Sequence, residues 1–259
     1  GVPKSTINKI VAGISRAISH FSDEDLWGTN RFIEAVTFYK DYNGAADGRI
    51  KTDMSIHAEY TTTPVAVAQL AEYTKEIGAN MHVHLSETKS EHEECKARHN
   101  GMTPAQYFNS LGIFETSCVA AHCVWIEGED YDILKDKGVT AAVNPVSNLK
   151  LASGICNADK LLRKGINVAI GTDSVASNNS LNFIEEMKFF ALATKGITGN
   201  PAVISPKEVL RAATLAGAKA QGRADTGLIK EGFKADIVVL DTDKPYMYPV
   251  HNILNNIVY

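Results

Sequence analysis

Several features that would place this 259-residue sequence in a narrow class are scarce or missing. No apolar run approaches the roughly 20 residues that cross a bilayer, so no membrane partner is expected. No basic stretch followed by an apolar segment opens the chain, so no secretory signal is expected. The net charge is only −4, with both signs interspersed, which argues against a nucleic-acid partner.

Cysteine is also rare. The four cysteines form no Cys-x-x-Cys pair and are too sparse for a disulfide framework: Cys95, Cys118, Cys123 and Cys156. This usage is typical of a reducing compartment and predicts a cytoplasmic protein. The composition that remains, 44% hydrophobic and 22% charged, is ordinary for a globular protein with one large core.

Strand-like runs alternate with helix-like runs, which predicts a parallel α/β fold. Helix starts are marked by Thr63-Pro64 and by the capping box Ser205-Pro-Lys-Glu208. Five strands are expected to end near His57, Leu85, His122, Asn144 and Asp173. A weaker strand is expected over Ile14 to Ser19, and another, after the barrel helices, over Ala235 to Leu240.

A (β/α)8 barrel needs eight strands. The pattern therefore predicts a TIM-type barrel that is incomplete at its N-terminus, with two strands upstream of Gly1. We expect residues 1–225 to form this partial barrel and residues 226–259 to begin the return to a small β-sandwich domain. Open sheet edges seek partners, so a homo-oligomer is a hypothesis that a clean monomer in light scattering would contradict.

Polar side chains stand where four of these strands end. They are His57, His84 with Glu87, His122 and Asp173. Functional groups of such barrels lie at the carboxyl ends of strands, and imidazole and carboxylate ligands from separate rigid elements suit a metal site. A single histidine of this kind is more often structural, and Asp173 alone could cap the next turn, so the prediction depends on the whole constellation.

Five segments, from about His57 onward, also carry a family resemblance. They are His84-Leu-Ser-Glu87-Thr, Ala120-Ala-His122-Cys-Val, Asn144-Pro-Val-Ser-Asn-Leu-Lys-Leu151, Gly171-Thr-Asp173-Ser-Val-Ala-Ser-Asn-Asn-Ser180 and Gly232-Phe-Lys-Ala-Asp236-Ile-Val-Val-Leu-Asp241. Together and in this order they resemble the methylthioadenosine/S-adenosylhomocysteine deaminase and chlorohydrolase branch of the amidohydrolase superfamily. Each motif alone is modest support, and the set is strong.

The resemblance implies roles for the matching positions. His84 is expected to be a metal ligand, and Asp173 a ligand that also takes a proton from the attacking water. Glu87 is expected to shuttle protons between water and the substrate nitrogen. His122 is expected to hydrogen-bond the attacking oxygen or the tetrahedral centre and to serve as a weak ligand, and His57 to touch the nucleoside.

The resemblance further implies Zn²⁺ as cofactor, with Fe²⁺ or Mn²⁺ as alternatives, and one ion per site. Bound zinc lowers the pKa of water to about 7, so hydroxide would attack the amine-bearing carbon of adenine and ammonia would leave. Arg31 matches a position that contacts the carboxylate of adenosylhomocysteine, and Arg16 is a weaker match to a second one. The simplest interpretation of Arg31 alone is a solvated helix residue.

The segment His82-Val83-His84 imitates the paired histidines of the family's first strand, since residues two apart share a face. The strand count argues against that assignment, because only three barrel strands follow. We interpret this strand as the fifth, where a single histidine and a glutamate three residues later are expected. His82 is then predicted to be a core or supporting residue.

Two departures keep alternatives open. The first is that the family's first-strand histidine pair is absent, so the 259 residues alone are expected to bind metal weakly and to be inactive. The second is that Val143 stands where many members of the family have histidine. One alternative is a deaminase of guanine or another purine base, or a triazine chlorohydrolase, of the same branch. Another is a non-catalytic binding or assembly domain with a broken metal site. A binuclear hydrolase is disfavoured, because His57 stands where its carbamylated lysine should be.

Two local patterns are set aside. His57-Ala-Glu59 copies half of a cytidine-deaminase signature, but no Pro-Cys-x-x-Cys follows. The stretch from His92 to His99 resembles a zincin helix, but its histidines are seven residues apart instead of four, so an exposed charged helix is expected.

Overall fold

The computed structural model describes residues 30–259, in which five strands form one parallel sheet in chain order. They are β1 (Met54–Ile56), β2 (Met81–Leu85), β3 (Cys118–His122), β4 (Thr140–Val143) and β5 (Asn167–Ile170). All five were predicted, with β3 at the predicted bounds. The strand predicted over Ile14 to Ser19 lies outside the described residues.

Helices alternate with the strands. They are α1 (Asn30–Tyr42), α2 (Pro64–Glu76), α3 (Lys89–Arg98), α4 (Pro104–Ser110), α5 (Asp130–Asp136), α6 (Pro145–Lys150), α7 (Ala158–Arg163), α8 (Val175–Asn178), α9 (Phe183–Thr198), α10 (Pro206–Ala213), α11 (Leu215–Ala220) and α12 (Ile253–Val258). The predicted caps are confirmed, since the side chains of Thr63 and Ser205 accept the backbone N–H groups of Ala66 and Glu208. Within residues 30–259, no helix is both long and apolar enough to pass through a bilayer.

The two faces of the sheet differ in composition. One face is apolar and packs against the helices, as Met81, Val83 and Leu85 show on β2, where each is fully buried. The opposite face carries His82 and His84, and small residues lie beside His84 in register: Ala121, Ala142 and Ala169. This alternation is that of barrel strands with helices outside and an interior face.

His82, which the sequence predicts to be a core or supporting residue, lies on the interior face of the sheet. The two-residue spacing puts it on the same face as His84 and away from the helices. Part of its side chain is solvent-accessible among the described residues, while burial in the surrounding protein lowers the pKa of its imidazole to about 4. This position is consistent with the supporting role.

Helix α3 is not the exposed charged helix that its sequence predicts. Glu91, His92 and Cys95 are buried on one face, and the charges on the other face are exposed. The high charge of the segment hides this asymmetry, because two of the three buried residues are themselves polar.

The strand predicted over Ala235 to Leu240 is also wrong for this structure. These residues are not assigned to a strand, and Val238 and Val239 are 82% and 90% exposed. A strand needs a neighbouring backbone to pair with, and residues 30–259 offer none to this segment. Beyond it the chain returns, and α12 packs against α9 and α10.

Candidate active site

The carboxyl-terminal edge of the sheet brings the predicted histidines together. His57 follows β1, His84 lies on β2 and His122 ends β3. The ring centroids of His57 and His84 are 4.8 Å apart, and those of His84 and His122 are 5.3 Å apart. Three imidazoles predicted from separate strands therefore stand in one row.

The His84 ring is fixed by a main-chain carbonyl. Its Nδ1 lies 2.6 Å from the His57 carbonyl oxygen, which also accepts the His84 amide at 3.0 Å. A carbonyl only accepts hydrogen bonds, so Nδ1 carries the hydrogen and Nε2 keeps a free lone pair. Metal-binding histidines are oriented in this way.

The His122 ring is buried and held by two amides. Its Nδ1 lies 2.9 Å from Asn148 Nδ2 and 3.4 Å from Asn144 Nδ2, so Nδ1 accepts and Nε2 carries the hydrogen. This Nε2 lies 3.6 Å from Glu87 Oε2. Burial, followed by the nearby His84, lowers the pKa of His122 to about 4, so the ring is neutral at pH 7. In this tautomer Nε2 is a hydrogen-bond donor.

Both predicted carboxylates are oriented by serines. Ser153 Oγ donates to Glu87 Oε1 at 3.2 Å. The Ser147 hydroxyl donates to Asp173 Oδ2, and the Ser174 amide donates to Asp173 Oδ1 at 2.6 Å. Each Asp173 oxygen thus receives one hydrogen bond and retains lone pairs for a further partner.

The segment 144–153 supports the side chains of the candidate site, and sequence analysis assigned it no role. Its two asparagines hold His122, and its two serines hold Glu87 and Asp173. The signal was present in the motif that begins at Asn144, which the family resemblance includes. Its meaning depends on contacts with three other loops, which the motif alone does not reveal.

Several non-glycine residues with positive φ lie at this edge. The φ angles of Ser86, His122 and Asp173 are +48°, +72° and +60°. L-residues avoid this region because Cβ approaches the carbonyl oxygen. At His122 the turned backbone has a visible result: regular alternation after Ala121 would send the ring to the other face, yet it stacks on His84.

Two buried glutamates anchor the loops around the site. Glu91 accepts backbone N–H groups of the turn that carries Glu87, and burial raises its pKa to about 7. Glu186 of α9 accepts the Val146 amide at 3.2 Å and the Asn178 side-chain amide, and burial raises its pKa as well. Sequence analysis did not single out either glutamate.

The ligand atoms of the predicted metal residues His84, His122 and Asp173 do not all lie within 4.8 Å of one another. Among residues 30–259, one trio of candidate ligands has all its ligand atoms within 4.8 Å of one another, namely Glu59, Cys95 and His99. Arg98 and His99 already bind the two oxygens of Glu59, and burial raises the pKa of the Cys95 thiol to about 12. We interpret this trio as a structural ion-pair cluster.

Of the two arginines that the resemblance assigns to the site, Arg31 lies in α1 and Arg16 lies outside the described residues.

This chain belongs to the amidohydrolase family, whose model matches residues 29–259. It is 40% identical, over its whole length, to a 5-methylthioadenosine/S-adenosylhomocysteine deaminase from Thermoanaerobacter pseudethanolicus, and it covers 60% of that relative. It is also 40% identical over 252 residues to a 5'-deoxyadenosine deaminase from Methanosarcina mazei, covering 96% of this chain and 58% of the relative. The chain thus spans less than two thirds of the length of these curated relatives.

Solved structures agree with the fold. An adenosine deaminase from Xanthomonas campestris with bound zinc superposes with a TM-score of 0.83 at 31% identity, covering 88% of this chain and 52% of that one. Atrazine chlorohydrolase TrzN from Arthrobacter aurescens TC1, in complex with zinc and atraton, superposes with a TM-score of 0.81. At 23% identity, with 88% of this chain and 51% of that one covered, it supports the fold alone. The predicted parallel α/β fold of the amidohydrolase type is confirmed.

Proposed function

We propose that this protein is a metal-dependent hydrolytic deaminase of a purine nucleoside-like substrate, such as methylthioadenosine, S-adenosylhomocysteine or adenosine. The observation that carries the proposal is the row of imidazoles at the carboxyl edge: His84 keeps Nε2 free, and the neutral His122, which stacks on it, lies next to Glu87. The similar deaminases, at 40% identity, support the reaction class.

The donor set fits a divalent metal, and we assign zinc, one ion per site, with Fe²⁺ and Mn²⁺ as the alternatives. His84 offers a free imidazole nitrogen, and Asp173 offers carboxylate lone pairs, both of which zinc accepts. The bound zinc of the similar adenosine deaminase supports the choice. When bound, such an ion makes water acidic enough to supply hydroxide at neutral pH. His122 serves as a hydrogen-bond donor, and the weak-ligand role that the resemblance implies would require the other tautomer, because Nε2 carries the hydrogen here.

The side chains divide the proton transfers. Asp173 accepts a proton from the attacking water. Glu87, held by Ser153, carries a proton to the departing amine, a contribution worth roughly 10²–10⁴-fold. His122 donates from Nε2 to the oxygen on which charge develops, and being neutral it can do so without titrating near pH 7. His57 contacts the nucleoside, and Arg31 with Arg16 would meet a substrate carboxylate.

We also propose a division of the chain into a barrel part, residues 1–225, and a returning segment, residues 226–259. The exposed apolar run around Val238 supports a segment that pairs with further strands. A homo-oligomer is proposed on the same ground, since open strands seek partners. A cytoplasmic location is supported by four cysteines that are all free and buried.

The test uses the protein expressed from its complete gene and loaded with zinc. It is mixed with methylthioadenosine and, separately, with S-adenosylhomocysteine, while ammonia release and purine absorbance are followed. We expect turnover that Glu87→Gln removes and that Glu208→Gln, a change in the distant cap of α10, leaves intact. Bound zinc without turnover would reject these substrates and favour guanine or triazine-type ones. Absence of metal binding would favour a non-catalytic domain.

A further inference from the structure

Three helices of the described chain begin with a capping box, and one of the boxes is displaced. In α4 and α10, the side chains of Gln106 and Glu208 accept the amides of the residues that cap their helices, at 3.0 Å and 2.8 Å. In α3, Glu91 accepts the corresponding amide of Thr88 at 3.4 Å. Its bonds to the amides of Glu87, at 2.7 Å, and Ser86, at 3.1 Å, are shorter. The Glu91 carboxylate is therefore centred on the turn before the helix.

This turn needs an anchor. Ser86 has φ +48°, a conformation that costs a non-glycine residue free energy and persists only where its surroundings impose it. Its carbonyl accepts the amides of Val124 and Trp125 at 3.1 Å and 3.0 Å, and its hydroxyl lies 3.2 Å from His92 Nδ1. Those contacts hold the Ser86 carbonyl and side chain. The amides of Ser86 and Glu87 are held by Glu91.

The burial of Glu91 exceeds what capping requires. Glu208 caps α10 with a side chain that is 29% exposed, whereas Glu91 as a whole is 7% exposed. Burying a carboxylate is costly unless it receives hydrogen bonds, and three backbone N–H groups supply them. The free-energy cost of burying Glu91 is explained if its carboxylate fixes the turn at Ser86 and Glu87 in one conformation.

We propose that Glu91 is a positioning residue: its carboxylate sets the backbone of Ser86 and Glu87 and thereby the place of the Glu87 side chain at the site. The hydrogen-bonding part of this inference stands on geometry alone, and its catalytic consequence rests on the function proposed above for Glu87.

The first test is amide hydrogen exchange in the protein expressed from its complete gene, comparing Glu91→Gln with Glu208→Gln. Glutamine has one acceptor oxygen, and its NH₂ group would face a backbone N–H. We expect the amides of Ser86 and Glu87 to exchange roughly tenfold to hundredfold faster in the first variant. In the second variant, only the amide of Ser205 should be affected. Unchanged exchange at Ser86 and Glu87 would reduce Glu91 to a cap and overturn the proposal.

A third variant, Thr88→Ala, separates the turn from the helix. It removes the side chain that caps α3 and leaves Glu91 in place, so exchange within α3 should rise while Ser86 and Glu87 stay protected. Equal loss of protection at Ser86 and Glu87 in Thr88→Ala and Glu91→Gln would show that helix formation, and not the carboxylate, sets the turn.

The second test is the kinetic signature. Glu91→Gln is expected to lower kcat about 10- to 100-fold with KM within about twofold, because a displaced acid–base group costs chemistry more than binding. Glu208→Gln should change neither constant. Faster exchange at Ser86 and Glu87 with an unchanged kcat would overturn the positioning role. If the unmodified protein has no turnover, the proposed function fails, and the exchange experiment alone decides the role of Glu91.

Discussion

The two edges of the parallel sheet use the same unusual backbone conformation in different ways. At the amino-terminal edge, helices end in Gly78, Gly138 and Gly165, with φ of +65°, +65° and +82°. At the carboxyl-terminal edge, positive φ falls on His122 and Asp173. Glycine adopts this region without strain, whereas other residues pay roughly 1–2 kcal/mol. At these five positions, the strained conformation occurs where the site uses a side chain, and glycine stands where only a turn is needed.

The glycines of the amino-terminal edge are needed for their positive φ and not because a side chain would clash. A Cβ added at Gly78, Gly138 or Gly165 would meet no atom within 4 Å. Substitution at these positions therefore tests the backbone alone, which allows the two edges to be compared by measurement.

The largest expected effect is at Asp173. Asp173→Asn should lower turnover by about 10²–10⁴-fold, because the amide cannot accept a proton. The free energy of unfolding should change by less than about 0.5 kcal/mol, since asparagine tolerates positive φ. Both quantities are measured on the same preparation, by ammonia release and by urea unfolding. A large loss of stability would mean that the charge at Asp173, and not only its conformation, is part of the fold.

Gly171→Ala should have the next largest effect, because there is no room for a side chain at this position. An added Cβ would lie 2.3 Å from Asn144 Oδ1, and the Asn144 amide lies 3.4 Å from His122 Nδ1. We expect a loss of about 1–3 kcal/mol in unfolding free energy, with reduced turnover as the His122 ring is displaced. Full turnover in this variant would show that Asn148 alone suffices to hold His122.

Gly138→Ala should cost about 1–2 kcal/mol of stability and leave turnover unchanged, because the strain arises far from the reacting groups. Urea unfolding and ammonia release again provide the measurements. Reduced turnover per folded molecule would contradict the separation of the two edges.

The smallest expected effect is the matched control, Gly196→Ala in α9. Gly196 lies within the helix, outside the positive-φ positions, and an added Cβ would meet nothing within 4 Å. Alanine should therefore stabilise the protein by about 0.5–1 kcal/mol. A loss of stability would show that the cost at Gly138 is not specific to its backbone conformation.

The sequence predicts those features that local chemistry determines. Thr63-Pro64 defines the start of α2, and the run from Cys118 to His122 defines β3 to the residue. The prediction fails where a distant partner decides: the run around Val238 has strand-forming residues but no described neighbour, and α3 has a charged composition but one covered face.

The site shows the same limit. The residue types at His84, Glu87, His122 and Asp173 indicate metal and proton-transfer chemistry, and the strand rhythm places them at one edge. The positive φ of His122 cannot be predicted from its residue type, because histidine rarely adopts that conformation. The hydrogen bond from Asn148 to His122 joins residues 26 positions apart, so only the folded chain reveals it.

The His57 carbonyl that fixes His84 has an evolutionary consequence. Because both hydrogen bonds from His84 end on a main-chain oxygen, they do not depend on which side chain position 57 carries. Descendants of this protein can therefore exchange the side chain at position 57 while the neighbouring imidazole keeps its orientation. If the proposed roles of His57 and His84 hold, such an arrangement lets one family vary its substrate contacts without rebuilding its metal site.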